Sequence, residues 1–487
     1  MSENINIKSD ELLCIARGQA VVEARQQSND CKILSASAWA VTTPNEIFAG
    51  EIRYIGKVTF DCLVLVDNAI ECITTVAEFS DKITAPEIYA GMNVTLIPEV
   101  INVEATTDGG GIKLVAVVDT TAMALLSHEY SCLSVPDEGI YAEKRGIEYA
   151  TACAQIAETV YVTDSVAAGS AADVLCAKSR VAVSGVDVAA DEIKVNGTVH
   201  TDVVLRMDDG TVSGIKIATP FVKSVTSPGI ADGDTACATA NVVEVSATCV
   251  DGRIETSTTL SLSAVVFGGR SAEAVVDVFC SDYEIEPASV SLDAMRIEPV
   301  KIVTDTVDGQ VSIPSDKPAA DNVACITGVF VTLSDVKTEG KITVEGLVGG
   351  DIVYYNAEHN TYDSLAFRLP FSLPLSVHTD MKNIRATATV TDINVRVRRE
   401  SVFDIKAEVA FALEMTDKSK CTAIENVKLG EMLPRPDATV IVHIARPGET
   451  LWQAAKALGC SPDSVEKQNA CSAPYAGGER LVNFCKR

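Results

Sequence analysis

The sequence predicts a mainly β protein: three tandem β-sandwich or barrel-like repeats, then a small C-terminal β-α-α-β module. Three observations carry this. Val, Ile, Thr and Ala fill a chain that is only 5% aromatic, and branched side chains at that density favour strands. Long period-two patterns recur at three places. The last fifty or so residues then switch to short, well-capped helical patterns.

The repeat is read from three matching segments: EIRYIGKVTFDCLVLVD from Glu51, EIKVNGTVHTDVVLRMD from Glu192 and KITVEGLVGGDIVYYNA from Lys341. In the first, Ile52, Tyr54, Val58, Phe60, Cys62 and Val64 share one parity; Ile193, Val195, Val199, Val203 and Leu205 do so in the second, and Ile342, Val344, Val348, Ile352 and Tyr354 in the third. Such alternation is expected of strands with one face on a core. Gly56, Gly197 and Gly346 fall at one phase, and Phe79, Phe221 and Phe371 follow them by 23, 24 and 25 residues. Val103, Val245 and Val395 follow each Phe by a constant 24. Small shifts upstream and a fixed interval downstream describe one duplicated fold whose hairpin loop absorbs the length changes. Turn residues fit this: Asp67-Asn68, Asp208-Asp209-Gly210 and Asn356 near one tip, and Asp108-Gly109-Gly110-Gly111 and Asp251-Gly252 near another. A further strand precedes each core, as CKILSASAWAV, VLCAKSRVAVSG and VACITGVFVTL. Each unit therefore holds six or seven strands. The expected boundaries are 14–127, 147–281 and 295–416, joined as an elongated body. A linker over 417–439 is expected, stiffened by Pro434 and Pro436.

The module covers 440–484. Val440 to Ile444 reads as a short strand. Thr450 is a helix N-cap, with Gln453 completing a capping box. Leu451, Ala454, Ala455 and Leu458 make one apolar face and Gly459 ends the helix. Ser461 caps a second helix with Pro462 at its first position. Leu481, Val482 and Phe484 supply the last strand.

Composition limits function. At 487 residues the chain exceeds one core. Its net charge of −27 opposes phosphate backbones, so nucleic acid is not an expected partner. The acid is uneven: residues 1–381 carry 24 basic and 54 acidic groups, and 382–487 carry 16 and 13. Fifteen cysteines include no C-x-x-C pair, and several sit in strand-like apolar runs, as Cys62 and Cys153 do, which fits a reducing cytoplasm. The polar start, MSENINIKSDELLC, has no signal-peptide core, and no run reaches membrane-span length. A cytoplasmic protein is expected. The five histidines, His128, His200, His359, His378 and His443, lie apart and outside any catalytic motif, and the Gly109–Gly111 run opens no helix. No enzyme activity, cofactor or metal is expected. Arg396, Arg398 and Arg399 are either the charged guard of an edge strand or a docking patch for an acidic partner.

The run PGETLWQAAKALG from Pro447, then Asn469 and GGERLV from Gly477, resembles a LysM domain, departing at Asn483, where a proline often follows the last strand. The repeats resemble SPOCS domains, the repeat of SipL-type spore-coat assembly proteins, most closely from Ile33 through Val66. Repeats ending in a LysM-like module are also the SipL-type order. The first resemblance implies a shallow groove for N-acetylated glycans between two loops, here Gly448, Glu449, Thr450 and Leu451, and Asn469, Ala470, Pro474 and Tyr475, with Tyr475 able to stack on a sugar. The second implies a non-enzymatic scaffold on the mother-cell side of the forespore surface, whose module contacts the coat-basement ATPase SpoIVA; a protein that binds peptidoglycan or another N-acetylglucosamine glycan is the alternative.

Overall fold

A computed structural model describes residues 2–27, 31–399, 401–434 and 439–484. The mainly β architecture is as the strand periodicity predicts. Repeat 1 is built of β1 (Glu3–Gln27), β2 (Lys32–Phe48), β3 (Glu51–Val66), β4 (Ala69–Thr84), β5 (Val94–Asp108) and β6 (Gly111–Val135). Repeat 2 runs through β7 (Ile140–Ala167), β8 (Ala171–Ala189), β9 (Glu192–Met207), β10 (Val212–Thr226), β11 (Thr235–Val250) and β12 (Arg253–Cys280). Repeat 3 has β13 (Tyr283–Ser312), β14 (Asn322–Lys337), β15 (Thr343–Asn356), β16 (Thr361–Pro374), β17 (Asn383–Arg398) and β18 (Val402–Met432).

Each repeat is two three-stranded antiparallel sheets. The second, third and fourth strands form a meander, and in the other sheet the last strand lies between the first and the fifth. The inward parity of the two central strands fills the space between the sheets. Val58, Phe60 and Val64 of β3 meet Leu114, Ala116 and Val118 of β6, and Val195 and Val199 meet Leu260 and Leu262 in repeat 2. In repeat 3, Val344, Val348 and Ile352 meet Ala407, Val409 and Phe411.

The Gly-to-Phe interval now has a cause. Gly56, Gly197 and Gly346 lie directly across the sheet from Phe79, Phe221 and Phe371. The phenyl ring covers the bare Cα: a Cβ on Gly197 would stand 2.5 Å from the Phe221 ring and 2.8 Å from the Ala182 carbonyl oxygen. The second strand of each repeat also carries a one-residue bulge at a matching place, between Ile33 and Ser35, Val174 and Cys176, and Val323 and Cys325.

The outer strands run past the sandwiches. Glu3 to Leu13 pairs with Ala124 to Val135, Ile140 to Ala150 with Gly269 to Cys280, and Tyr283 to Glu298 with Met415 to Met432. Residues 417–432, expected to be linker, are thus the second half of β18. Arg435 and Pro436 of that expected linker lie outside the described residues. The repeats begin at Glu3, Ile140 and Tyr283 and end at Val135, Cys280 and Met432, wider than the sequence reading except at the end of repeat 2.

These extensions place the repeats around a common centre, not in the elongated string expected. Ile7, Ile147 and Leu292 occupy equivalent register positions, opposite Tyr130, Ala272 and Cys421. They meet in one buried cluster with Cys132, Ala274 and Ala423. A second cluster joins the equivalent Leu63, Val204 and Val353 with Ile70, Val212 and Tyr362. Equivalent residues from three repeats can share a point only if the repeats are related by an approximate threefold rotation.

Polar pins cross the same seams. Asp10 Oδ2 accepts from Thr151 Oγ1 at 2.8 Å and from the Ala152 amide at 2.7 Å, and Ser9 Oγ accepts from the Met295 amide at 3.0 Å. Lys418 pairs with the buried Glu11 at 2.6 Å and Lys32 with Asp363 at 2.6 Å. Asp61, Asp202 and Asp351 are also equivalent; they pair across the strands with Ser37, Lys178 and Thr327. Only repeat 2 supplies a cation there. Among the described residues 14 cysteines are free thiols, and burial pushes Cys62 and Cys325 up to about 12, so they pack as small hydrophobes.

Replacing Asp10 with Ala strands the Thr151 hydroxyl and the Ala152 amide in a buried seam. The expected cost is about 1–3 kcal/mol of unfolding free energy, read from the urea midpoint at unchanged slope.

Candidate binding site on the C-terminal module

The module is built of β19 (Val440–Ile444), α1 (Leu451–Leu458), α2 (Pro462–Gln468) and β20 (Arg480–Phe484). Its local signals act as read. Thr450 Oγ1 accepts from the Gln453 amide at 3.2 Å, and Gln453 Oε1 accepts from the Thr450 amide at 2.9 Å. Gly459 takes the left-handed conformation, φ 64°, that ends α1. Ser461 caps α2 by accepting from the Ser464 amide at 3.2 Å. Asn483 has a use of its own: its amide donates to the Leu458 carbonyl at 3.0 Å, satisfying the end of α1.

The structure brings the two candidate groove loops together. The Gly448 amide donates to the Tyr475 carbonyl at 2.8 Å, and the Tyr475 amide donates to the Glu449 carbonyl at 3.1 Å. Gly448, Thr450, Ala470 and Pro474 are exposed there, and Leu451 is half-buried. Four of the eight have structural uses. Tyr475 is 2% exposed and lies in the module core with Trp452, Leu458 and Leu481, so its ring is not available to stack on a sugar. Burial pushes its hydroxyl up. Asn469 donates to the Val465 and Val482 carbonyls and accepts from the Val482 amide, tying α2 to β20. Glu449 is buried and accepts from the Arg446 amide at 2.6 Å, with His443 Nε2 at 2.7 Å. Burial works against its charge, but these two bonds hold the carboxyl below its ordinary range. Thr450 has its hydroxyl committed to the cap.

The exposed chemistry lies on the sheet. Ile441, His443, Leu481 and Asn483 face the helices, so the opposite parity faces outward. It is apolar: Val440 pairs with Phe484, Val442 with Val482 and Ile444 with Arg480. Val442, Ile444 and Phe484 are 56%, 63% and 57% exposed. Exposed Arg446 and Arg480 border them. The pattern VIVHI, with Val440, Val442 and Ile444 on one parity and Ile441 on the other, was the available sign of this face.

The opposite side of the module is docked. Trp452 packs on Phe279 of β12 with ring centroids 5.0 Å apart, and its Nε1 donates to Asp277 Oδ2 at 2.8 Å. Lys456 Nζ adds bonds to both Asp277 oxygens at 2.8 and 2.9 Å. Tyr141 joins the same cluster. Trp452 therefore meets repeat 2. Arg396, Arg398 and Arg399 are exposed at the tip of the β17–β18 hairpin, on an edge strand, with Arg398 3.8 Å from Asp404. They sit at one end of β18 and the module follows the other, so the two candidate surfaces are separate. Among the described residues no group of three or more His, Cys, Asp or Glu could hold a metal, and no helix is long and apolar enough to cross a membrane.

No family model, curated protein or solved structure matches the chain.

Burial alone would raise Asp277, but its bonds from Lys456 and Trp452 hold it below the ordinary carboxylate range. A depressed carboxyl contributes its contact above its unfolded pKa and loses it as pH falls through the folded value. The Asp277→Ala variant should release the module at neutral pH, seen as faster exchange of the Trp452 indole proton. The wild type should reach that state only at pH below about 4.

Proposed function

We propose that the chain is a non-enzymatic scaffold or adaptor in spore-coat assembly. Its C-terminal module docks on a SpoIVA-like basement ATPase at the mother-cell side of the forespore surface. The reading rests on the resemblance of the repeats and module to the SipL-type order. One observation carries the choice of protein over sugar: Val440, Val442, Ile444 and Phe484 make an apolar sheet face that is exposed among the described residues. Such a face fits a protein partner, since burial of apolar area drives association.

The glycan reading loses its main aromatic, because Tyr475 is core. The repeats would act as a rigid acidic body holding the module, with Asp10, Asp202 and Asp277 committed to bonds that join parts of the chain.

A fluorescent fusion should ring the forespore during sporulation. The double variant Val442→Asp, Ile444→Asp should stay diffuse, and should weaken binding of the purified full chain to the basement ATPase at least about tenfold, the loss of about 1.4 kcal/mol. An unchanged ring in the double variant would sink the docking role. Saturable retention of the full chain on purified peptidoglycan, without binding to the ATPase, would replace it with the glycan reading.

A further inference from the structure

A cavity lies away from the module, in the seam between repeats 1 and 3. Its volume is about 270 Å³. One wall is β2 and β5, including Leu34, Val100 and Val103; the other is Phe330, Gly350 and Arg368 of repeat 3. Lys178 of repeat 2 reaches into it and also lines the smaller central crevice with Asp61 and Asp202. All three repeats thus contribute to one cavity.

Two cations face this space from different repeats. Lys178 stands where the other repeats have Ser37 and Thr327. Among the described residues, its Nζ makes one hydrogen bond, to the Ala38 carbonyl at a long 3.4 Å. Arg368 is exposed at the cavity mouth. Its guanidinium lies over the Phe330 ring, 4.8 Å from the centroid, and bonds the Phe367 carbonyl at 3.0 Å. Neither is in an ion pair among the described residues. The carboxylate that shares the lining, Asp351, accepts from Ser35 Oγ at 2.7 Å. Asp202 is taken by Arg180 at 2.5 Å.

We propose that this cavity is a binding site for a small organic carboxylate. The carboxylate sits between the Lys178 ammonium and the Arg368 guanidinium, and the apolar body lies against Val100, Val103 and Phe330. The planar guanidinium suits a two-oxygen acceptor. The apolar walls set an organic acid apart from an inorganic anion. Burial, with Arg180 nearby, draws Lys178 below the ordinary lysine range, and an entering anion offsets that cost. A ligand there touches all three repeats, so its binding also holds the ring closed.

Calorimetric titration of the full chain at constant ionic strength tests this, with benzoate as the probe and benzamide and inorganic phosphate beside it. Benzoate should bind saturably, with benzamide and phosphate at least about tenfold weaker. Arg368→Gln, an exposed change at the mouth, should weaken benzoate at least about tenfold. Lys178→Met should do the same where circular dichroism shows the fold retained. No saturable benzoate binding, equal binding of benzamide or phosphate, or unchanged affinity in Arg368→Gln would each overturn the proposal.

Discussion

Pairing of the first strand of each repeat with its last is the constraint on which the rest of the molecule depends. It closes each sandwich, because among the described residues β1, β7 and β13 have no hydrogen-bonded strand partner other than β6, β12 and β18. It also carries those strands beyond the sandwich, where each pair presents an apolar stripe with nothing in its own repeat to cover it. The three stripes cover one another. Ile7, Ile147 and Leu292 are buried only because equivalent positions of the other repeats come to meet them. A closed arrangement of three follows, whereas a string would leave the terminal stripes exposed.

Closure explains features that look unrelated along the chain. Buried polar groups at the seams find partners in other repeats: Ser9 Oγ, Asp10 Oδ2 and Glu11 are each met from repeat 2 or 3, and Asp10 Oδ1 is left buried without a hydrogen bond among the described residues. At the central position where each repeat has an aspartate, one repeat alone supplies cations: Arg180 pairs with Asp202 at 2.5 Å, and Lys178 lies across the strand from it. The same outer strands support the C-terminal module, since Asp277 and Phe279 lie at the end of β12. The module is therefore held on one side and leaves its apolar sheet face free on the other.

Much of this was legible in the sequence, and the limits have physical causes. The Gly-to-Phe interval was readable because a cross-strand pair with the ring over a bare Cα permits only Gly at one end. The helix caps of the module were readable because Thr450, Gln453, Gly459 and Ser461 act within a few residues. The second half of β18 was not. There Lys418, Lys420 and Lys428 alternate with small residues, and only a few positions such as Ala423 and Ile424 are buried. A stripe that small gives a weak period-two signal, and its cover comes from other repeats. Tyr475 was misplaced for a similar reason: a loop tyrosine reads as exposed until the Gly448 and Glu449 backbone is seen to fold it inward. The register equivalences were present in the three glycines, but that equivalent residues touch is a tertiary fact.

The three repeats share one interior and stand or fall together. Substituting Ala274, fully buried in the three-way cluster, with Asp places an unpaired charge in that shared interior. Hydrogen exchange followed through a denaturant series reads each repeat separately. Strands of all three repeats should lose protection together, at one lowered midpoint. If repeats 1 and 3 kept their wild-type protection while repeat 2 alone opened, the repeats would be independent domains with no shared interior.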